Sequence, residues 1–202
     1  MNGIMGKFRE IVENKEIVFA EDCFQNVVWS TASFLTERSP NLGFCLTGDW
    51  GTGKTTLLRA ILEYVLDLSA ENDNLICGDA RSPLIIGTSV YDFKYPFIDE
   101  RRFQEFTEAR LLFIDDLGME NGSKETASFT RELVAELIIK RYVLGKRTVV
   151  ATIFDFDNLE ETYGQHTAEV IMETYRMLDL KELMREYVMN DCTMPCYHVP
   201  ED

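Results

Sequence analysis

Gly48-Asp49-Trp50-Gly51-Thr52-Gly53-Lys54-Thr55 carries the pattern glycine, four residues, glycine, lysine, then serine or threonine. One task explains those residue types. Glycines let the backbone curl until successive N–H groups point inward, and a helix beginning at the end of the loop adds the positive end of its dipole; both favour phosphate oxygens. In this arrangement Lys54 reaches the β- and γ-phosphates of a nucleoside triphosphate and the Thr55 hydroxyl ligates Mg²⁺. The expected nucleotide contacts are Gly48, Asp49, Trp50, Gly51, Thr52, Gly53, Lys54, Thr55 and Thr56. A plain strand-to-helix turn would require neither the lysine nor the hydroxyl beside it.

Outward from the loop, Leu42 to Thr47 is a short apolar run bounded by turn residues, the form of a buried strand. From Thr55 onward Leu57, Leu58, Ile61, Leu62, Val65 and Leu66 recur at helical spacing until about Leu68. The chain therefore reads strand, glycine loop, helix. Leu84 to Val90 and Leu111 to Asp115 are apolar runs without alternation, as strands covered on both faces of a parallel sheet should be. The second of them ends in an acid pair, Leu111-Leu112-Phe113-Ile114-Asp115-Asp116. Read alone, paired acids after a strand are a solvated turn. Downstream of the phosphate loop they have roles: Asp115 holds the Mg²⁺ shell through water, and Asp116 orients or deprotonates the water that attacks the γ-phosphate.

Asp22 and Gln25 resemble a capping box, and Phe24, Val27, Val28, Phe34 and Leu35 share one face, which predicts a helix over 22–37. Ser123 caps a helix whose expected inward face is Phe129, Leu133, Leu137, Ile138 and Val143, stopped by Gly145. Thr148 to Ile153 is a fourth strand, and Asn158 with Glu161 caps a short helix. A longer helix from Thr167 carries Val170, Ile171, Tyr175 and Leu178, and a fifth strand is read near Pro195 to Val199. The alternation implies right-handed crossovers and one α/β domain over 1–202. Residues 1–40 form a helical linker region, and 167–202 a C-terminal helix with an edge strand.

Lys plus Arg number 20 against 35 Asp plus Glu, a formal charge of −15, so the molecule as a whole repels nucleic-acid backbones and anionic membranes, and any nucleic-acid contact must be local. The local cations are Arg101 and Arg102 and the stretch Lys140 to Arg147; the latter is read first as complementing a helix dipole. Tyr91, Phe93, Tyr95 and Phe97 alternate as one packed face of a strand, or as a base-stacking row. Five irregularly spaced cysteines, Cys23, Cys45, Cys77, Cys192 and Cys196, point to reduced thiols in the cytoplasm. Cys192, Cys196 and His198 lack the fourth ligand of a zinc site. No apolar run is long enough to span a membrane.

The acid pair followed by Leu-Gly and then Glu (Leu111 to Glu120, LLFIDDLGME) resembles the AAA+ ATPases of the DnaC/IstB type, helicase loaders and transposition helpers. Thr148 to Gly164, TVVATIFDFDNLEETYG, resembles that family's next strand and the helix ending in Tyr-Gly. The resemblance implies a P-loop NTPase of the AAA+, RecA-like kind: a three-layer αβα sandwich on a mostly parallel sheet of about five strands. It also implies ATP and Mg²⁺ as ligands and Lys54, Asp116 and an arginine finger as catalytic groups. The finger aligns near Thr174, with Arg176 the nearest substitute. The family's polar sensor falls on Ile153, leaving Thr152 beside it to offer a hydroxyl. Implied partners are a replicative helicase or a transposase, a local contact to single-stranded DNA and an ATP-dependent homo-oligomer. Three functions compete: slow ATP hydrolysis that remodels a protein–DNA complex, a nucleotide-binding interaction module with little hydrolysis, and a small-molecule P-loop kinase. No arginine-rich lid supports the last.

Overall fold

The computed structural model describes residues 6, 7, 9, 10, 34, 41–71, 85–93 and 98–181. Most of the helix expected over 22–37, the strand near 195–199, and Cys23, Cys77, Cys192, Cys196, His198, Tyr95 and Phe97 lie outside them. The elements run β1 (Gly43–Thr47), α1 (Lys54–Glu71), β2 (Ile85–Ser89), a 3₁₀ turn (Val90–Phe93), α2 (Glu100–Glu108), β3 (Leu111–Leu117), α3 (Lys124–Val143), β4 (Arg147–Thr152), α4 (Phe156–Tyr163), α5 (Gln165–Thr174) and β5 (Tyr175–Asp179).

All strand pairings are parallel, in the order β2-β3-β4-β1-β5. The connection from β1 to β2 crosses the sheet one way and the later connections cross it the other way. Right-handed crossovers then put α1 on one face and α2 to α5 on the other. The expected α/β three-layer sandwich is what forms. Its core is the doubly covered sheet, where Phe44, Cys45, Leu46, Leu112, Phe113, Ile114 and Val150 are fully buried, as their unbroken apolar runs require. Burial pushes the Cys45 thiol up to about 12, so it is an inert core atom. Phe34, helical and buried, stacks on Phe44 with ring centres 5.7 Å apart.

Several elements differ from expectation. The helix read from Thr167 through Leu178 ends at Thr174, and the chain turns into β5, which pairs with β1 from Gly43↔Tyr175 to Thr47↔Asp179. Its first contact is the Leu42 N–H on the Thr174 carbonyl, 2.9 Å. The open edge of β1 supplies a full ladder, and that tertiary pairing overrides a helical spacing that Tyr175 and Leu178 happened to continue. The inward stripe of α3 is Thr130, Val134, Leu137, Ile138 and Arg141, while Phe129 and Val143 face solvent. Asp155, not Asn158, caps α4, accepting from the Asn158 N–H at 3.0 Å. Tyr91 and Phe93 sit in the 3₁₀ turn rather than on a strand.

The Lys140 to Arg147 stretch is only in part a surface patch. Arg141 is fully buried and donates to the carbonyls of Phe106, Thr107 and Ala109 at 2.6, 3.1 and 2.9 Å, to the Thr148 hydroxyl at 2.9 Å and to the Arg147 carbonyl. It thereby satisfies the orphan carbonyls at the end of α2. Arg147 stacks over Phe34, and Lys140 pairs with Glu136 at 2.6 Å. Arg101 and Arg102 are both tied to Glu105.

Candidate nucleotide site

The strand order places β4 between the strand that delivers the glycine loop and the strand that delivers the acid pair, so all three open at the same end of the sheet. There a pocket is lined by Trp50, Gly51, Gly53, Lys54, Thr55, Thr56, Asp115, Asp116, Met119, Ala151, Thr152 and Ile153. Of the residues expected from sequence, Gly48, Asp49 and Thr52 shape the loop behind this lining, and Arg176 lies elsewhere.

The loop has the geometry its glycines predict. Gly48, Gly51 and Gly53 take φ of 140°, 77° and 84°, values L side chains rarely adopt, and α1 begins directly at Lys54. Thr52 donates through its hydroxyl to the Asp49 carbonyl at 2.9 Å and closes the bend. The Lys54 ammonium donates to the carbonyls of Gly48 (2.8 Å) and Asp49 (2.7 Å), inside the curl where phosphate oxygens would compete for it. Burial lowers its pKa, while Asp49, Asp115, Asp116 and Asp179 oppose that shift. Trp50 at the loop tip is 70% exposed. A further cation, missed in the sequence because β5 was read as helix, stands beside the loop: Lys181 is 2.6 Å from the Asp49 carboxylate.

The Thr55 hydroxyl donates to Asp115 Oδ1 at 3.1 Å, joining residues sixty positions apart across the sheet. Asp115 is buried, which pushes its pKa up, as does the charge of Asp116; the Thr55 hydroxyl, the Asp116 amide and Arg59 pull it back down. The β3–β4 register slips by one residue between Ile114 and Leu117, so the acid pair forms a bulge. Asp116 sits in it at φ 58°, the one non-glycine with positive φ among the described residues, and its amide donates to Asp115 Oδ1 at 3.0 Å. The bulge turns two consecutive acids toward one pocket, whereas a regular strand would send them to opposite faces.

Two expected residues are placed less directly. Thr152 lines the pocket but its hydroxyl donates to the Leu117 carbonyl at 2.7 Å and accepts from the Phe154 N–H at 3.0 Å. Ile153 takes the lining position beside it. Arg176 lies in β5, opposite Phe44 of β1, rather than on a helix face.

A hydroxyl and a carboxylate, both hard oxygen donors 3.1 Å apart at the mouth of an anion-binding loop, fit Mg²⁺. The described residues contain no cluster of three or more His, Cys, Asp or Glu that would hold a metal without a ligand's help.

This loop, acid-tipped strand and parallel sheet define a P-loop NTPase of the AAA+ fold. The chain belongs to the KAP family, whose P-loop domain model matches residues 24–174. Among solved structures it is similar to the DnaC helicase loader, 21% identical with a TM-score of 0.60, covering 79% of this chain and 90% of that one. It is also similar to DnaI, 18% identical with a TM-score of 0.58, covering 86% and 90% of the two chains. AMPPCP-bound DnaA from Aquifex aeolicus is 16% identical with a TM-score of 0.56, covering 91% of this chain and 56% of that one. At such identities the likeness is one of fold: the expected P-loop NTPase is shown, and the DnaC/IstB type within it is not singled out. No curated protein matches the chain in sequence.

Proposed function

We propose that this chain binds ATP with Mg²⁺ and hydrolyses it slowly, using the cycle to remodel a protein–DNA complex in replication or transposition. The observation that carries the reading is the Thr55–Asp115 contact beside a lysine-bearing loop, with Asp116 turned toward the same pocket. Mg²⁺, held by Thr55 and Asp115, would supply charge neutralisation on the β- and γ-phosphates. Lys54 and the loop amides orient the triphosphate, and Asp116 orients or deprotonates the attacking water. The turnover is slow in this reading because the apolar Ile153 stands where a γ-phosphate sensor would, and the Thr152 hydroxyl is already engaged. The same two facts favour the second reading, a nucleotide switch with little hydrolysis.

The remodelling role draws on fold neighbours described as a helicase loader and as a replication initiator bound to single-stranded DNA. A replicative helicase or transposase is the proposed protein partner, with a local single-strand contact, ATP-dependent self-assembly and a cytoplasmic location. Among the described residues no helix is long and apolar enough to cross a membrane. Arg176 is the proposed finger supplied to a neighbouring subunit.

Phosphate release from ATP by the purified chain, with and without single-stranded DNA, tests the reading. Lys54→Ala weakens ATP binding, and Asp116→Asn keeps binding but stops turnover. ATP affinity unchanged by Lys54→Ala would contradict the site.

A further inference from the structure

The turn that carries Asp116 is held by hydrogen bonds from residues outside β3, of which Tyr163 and Glu120 do not line the pocket. Its central peptide joins Leu117 to Gly118. The carbonyl of that peptide accepts from the Thr152 hydroxyl at 2.7 Å, and its N–H donates to the Tyr163 hydroxyl oxygen at 2.6 Å and to Glu120 Oε1 at 3.4 Å. Tyr163 in turn donates its own proton to Glu120 Oε1. One peptide plane is thus gripped at both poles, from β4 on one side and from the end of α4 on the other. Above it the Phe154 ring leaves no room for a side chain: a Cβ on Gly118, at φ 97°, would stand 2.5 Å from the ring. The Met119 N–H closes the turn on the Asp116 carbonyl at 2.9 Å.

The Glu120 side chain is 0% exposed, and its second oxygen has Arg131 Nε at 3.6 Å without a hydrogen bond between them. An apolar pair would fill this space without the cost of burying a carboxylate and a phenol. What an apolar pair lacks is direction. Only a polar group fixes the orientation of a peptide plane, and the plane fixed here begins one residue after Asp116, whose left-handed backbone would otherwise relax toward negative φ.

We propose that Tyr163 and Glu120 are positioning residues for hydrolysis: their clasp on the Gly118 amide holds the Asp116 carboxylate toward the pocket. The proposal rests on the reading of the pocket as hydrolytic. It also joins two stretches of sequence with no local reason to be linked, Leu-Gly-Met-Glu (117–120) and Tyr-Gly (163–164), as the two halves of one clasp.

The test uses the full chain and two readouts. In Tyr163→Phe, kcat falls by about 10- to 100-fold, the scale of a misplaced catalytic group, while KM for ATP stays within about twofold because the phosphate loop is untouched. The Gly118 amide, followed by NMR without nucleotide, exchanges with solvent at least about tenfold faster, while Leu112 and Phe113 in the core of β3 keep their protection. Should Tyr163→Phe fail to fold, Glu120→Met removes the acceptor of the Tyr163 hydroxyl without touching the pocket lining and gives the same split, and Glu120→Gln, which keeps an acceptor oxygen, recovers most of the loss. Wild-type kcat in a folded Tyr163→Phe variant overturns the proposal and leaves the hydrolytic reading standing. A wild-type chain that binds ATP without turning it over overturns the hydrolytic reading and the proposal with it.

Discussion

Asp115 shows what the site costs its own residues. Its carboxyl is buried beside a second acid, so the folded protein holds the proton to a higher pH than the unfolded chain does. Between the ordinary carboxylate value and the raised one the folded state binds the extra proton. The stability this contributes is complete below the ordinary value and drains away as pH rises through the raised one. Asp115→Asn, neutral throughout, is therefore expected to match the wild type near about pH 4 and to melt a few degrees higher near about pH 8 in the absence of Mg²⁺, while losing Mg²⁺-dependent ATP binding. Thermal melts of both proteins at the two pH values check it; a variant that melts lower at the higher pH contradicts the burial argument. The identity of this residue was legible in the sequence, since an apolar run ending in acid downstream of a phosphate loop has one familiar use. The bulge that aims it was not. Asp116 at φ 58° depends on the clamp from Thr152 and Tyr163, thirty-five and forty-five residues away from the peptide they hold.

At the scale of elements, a count of apolar residues succeeded where both faces of a strand are covered and failed where polar residues are buried with their partners. The α3 stripe includes Thr130, whose hydroxyl donates to the Thr126 carbonyl at 3.0 Å, and Arg141, each of whose three side-chain nitrogens finds an acceptor. A reading that admits only hydrophobic side chains to the core rotates this helix toward Phe129, which is 40% exposed. Burial lowers the Arg141 guanidinium to about 10, so its charge is retained at neutral pH at some cost. Arg141→Met would remove that cost but strand the carbonyls at the end of α2. We expect a net destabilisation of about 3 kcal/mol, read from urea unfolding, because several acceptors lose their donor at once. A variant as stable as the wild type would show that α2 finds other donors.

For the whole molecule, the assembled pocket predicts linkage between nucleotide and fold. ATP with Mg²⁺ at a hundred times its Kd should add about 2.7 kcal/mol to stability. In a chain of this size that raises Tm by roughly 5–10 °C. The same addition to Lys54→Ala should move Tm little, and an equal rise in both proteins would place the nucleotide elsewhere. The formal charge of −15 bears on the partner at this scale as well. With Arg141 buried and Arg101 and Arg102 paired with Glu105, a contact to single-stranded DNA would draw on other cations, and salt should weaken it in proportion to the number of phosphates they neutralise.

By itself the sequence determined the phosphate loop, the acid pair and the parallel sheet, because each is written in consecutive residues: glycines for a curled backbone, unbroken apolar runs for doubly covered strands, charge at a strand tip. Only the tertiary structure decided that Tyr175 to Asp179 is a strand, that Arg141 is interior, that the Thr152 hydroxyl faces a carbonyl, and that Glu120 and Tyr163 meet behind Asp116. In each of these the partner lies far along the chain. A hydrogen bond between distant residues leaves no period in the sequence from which to read it.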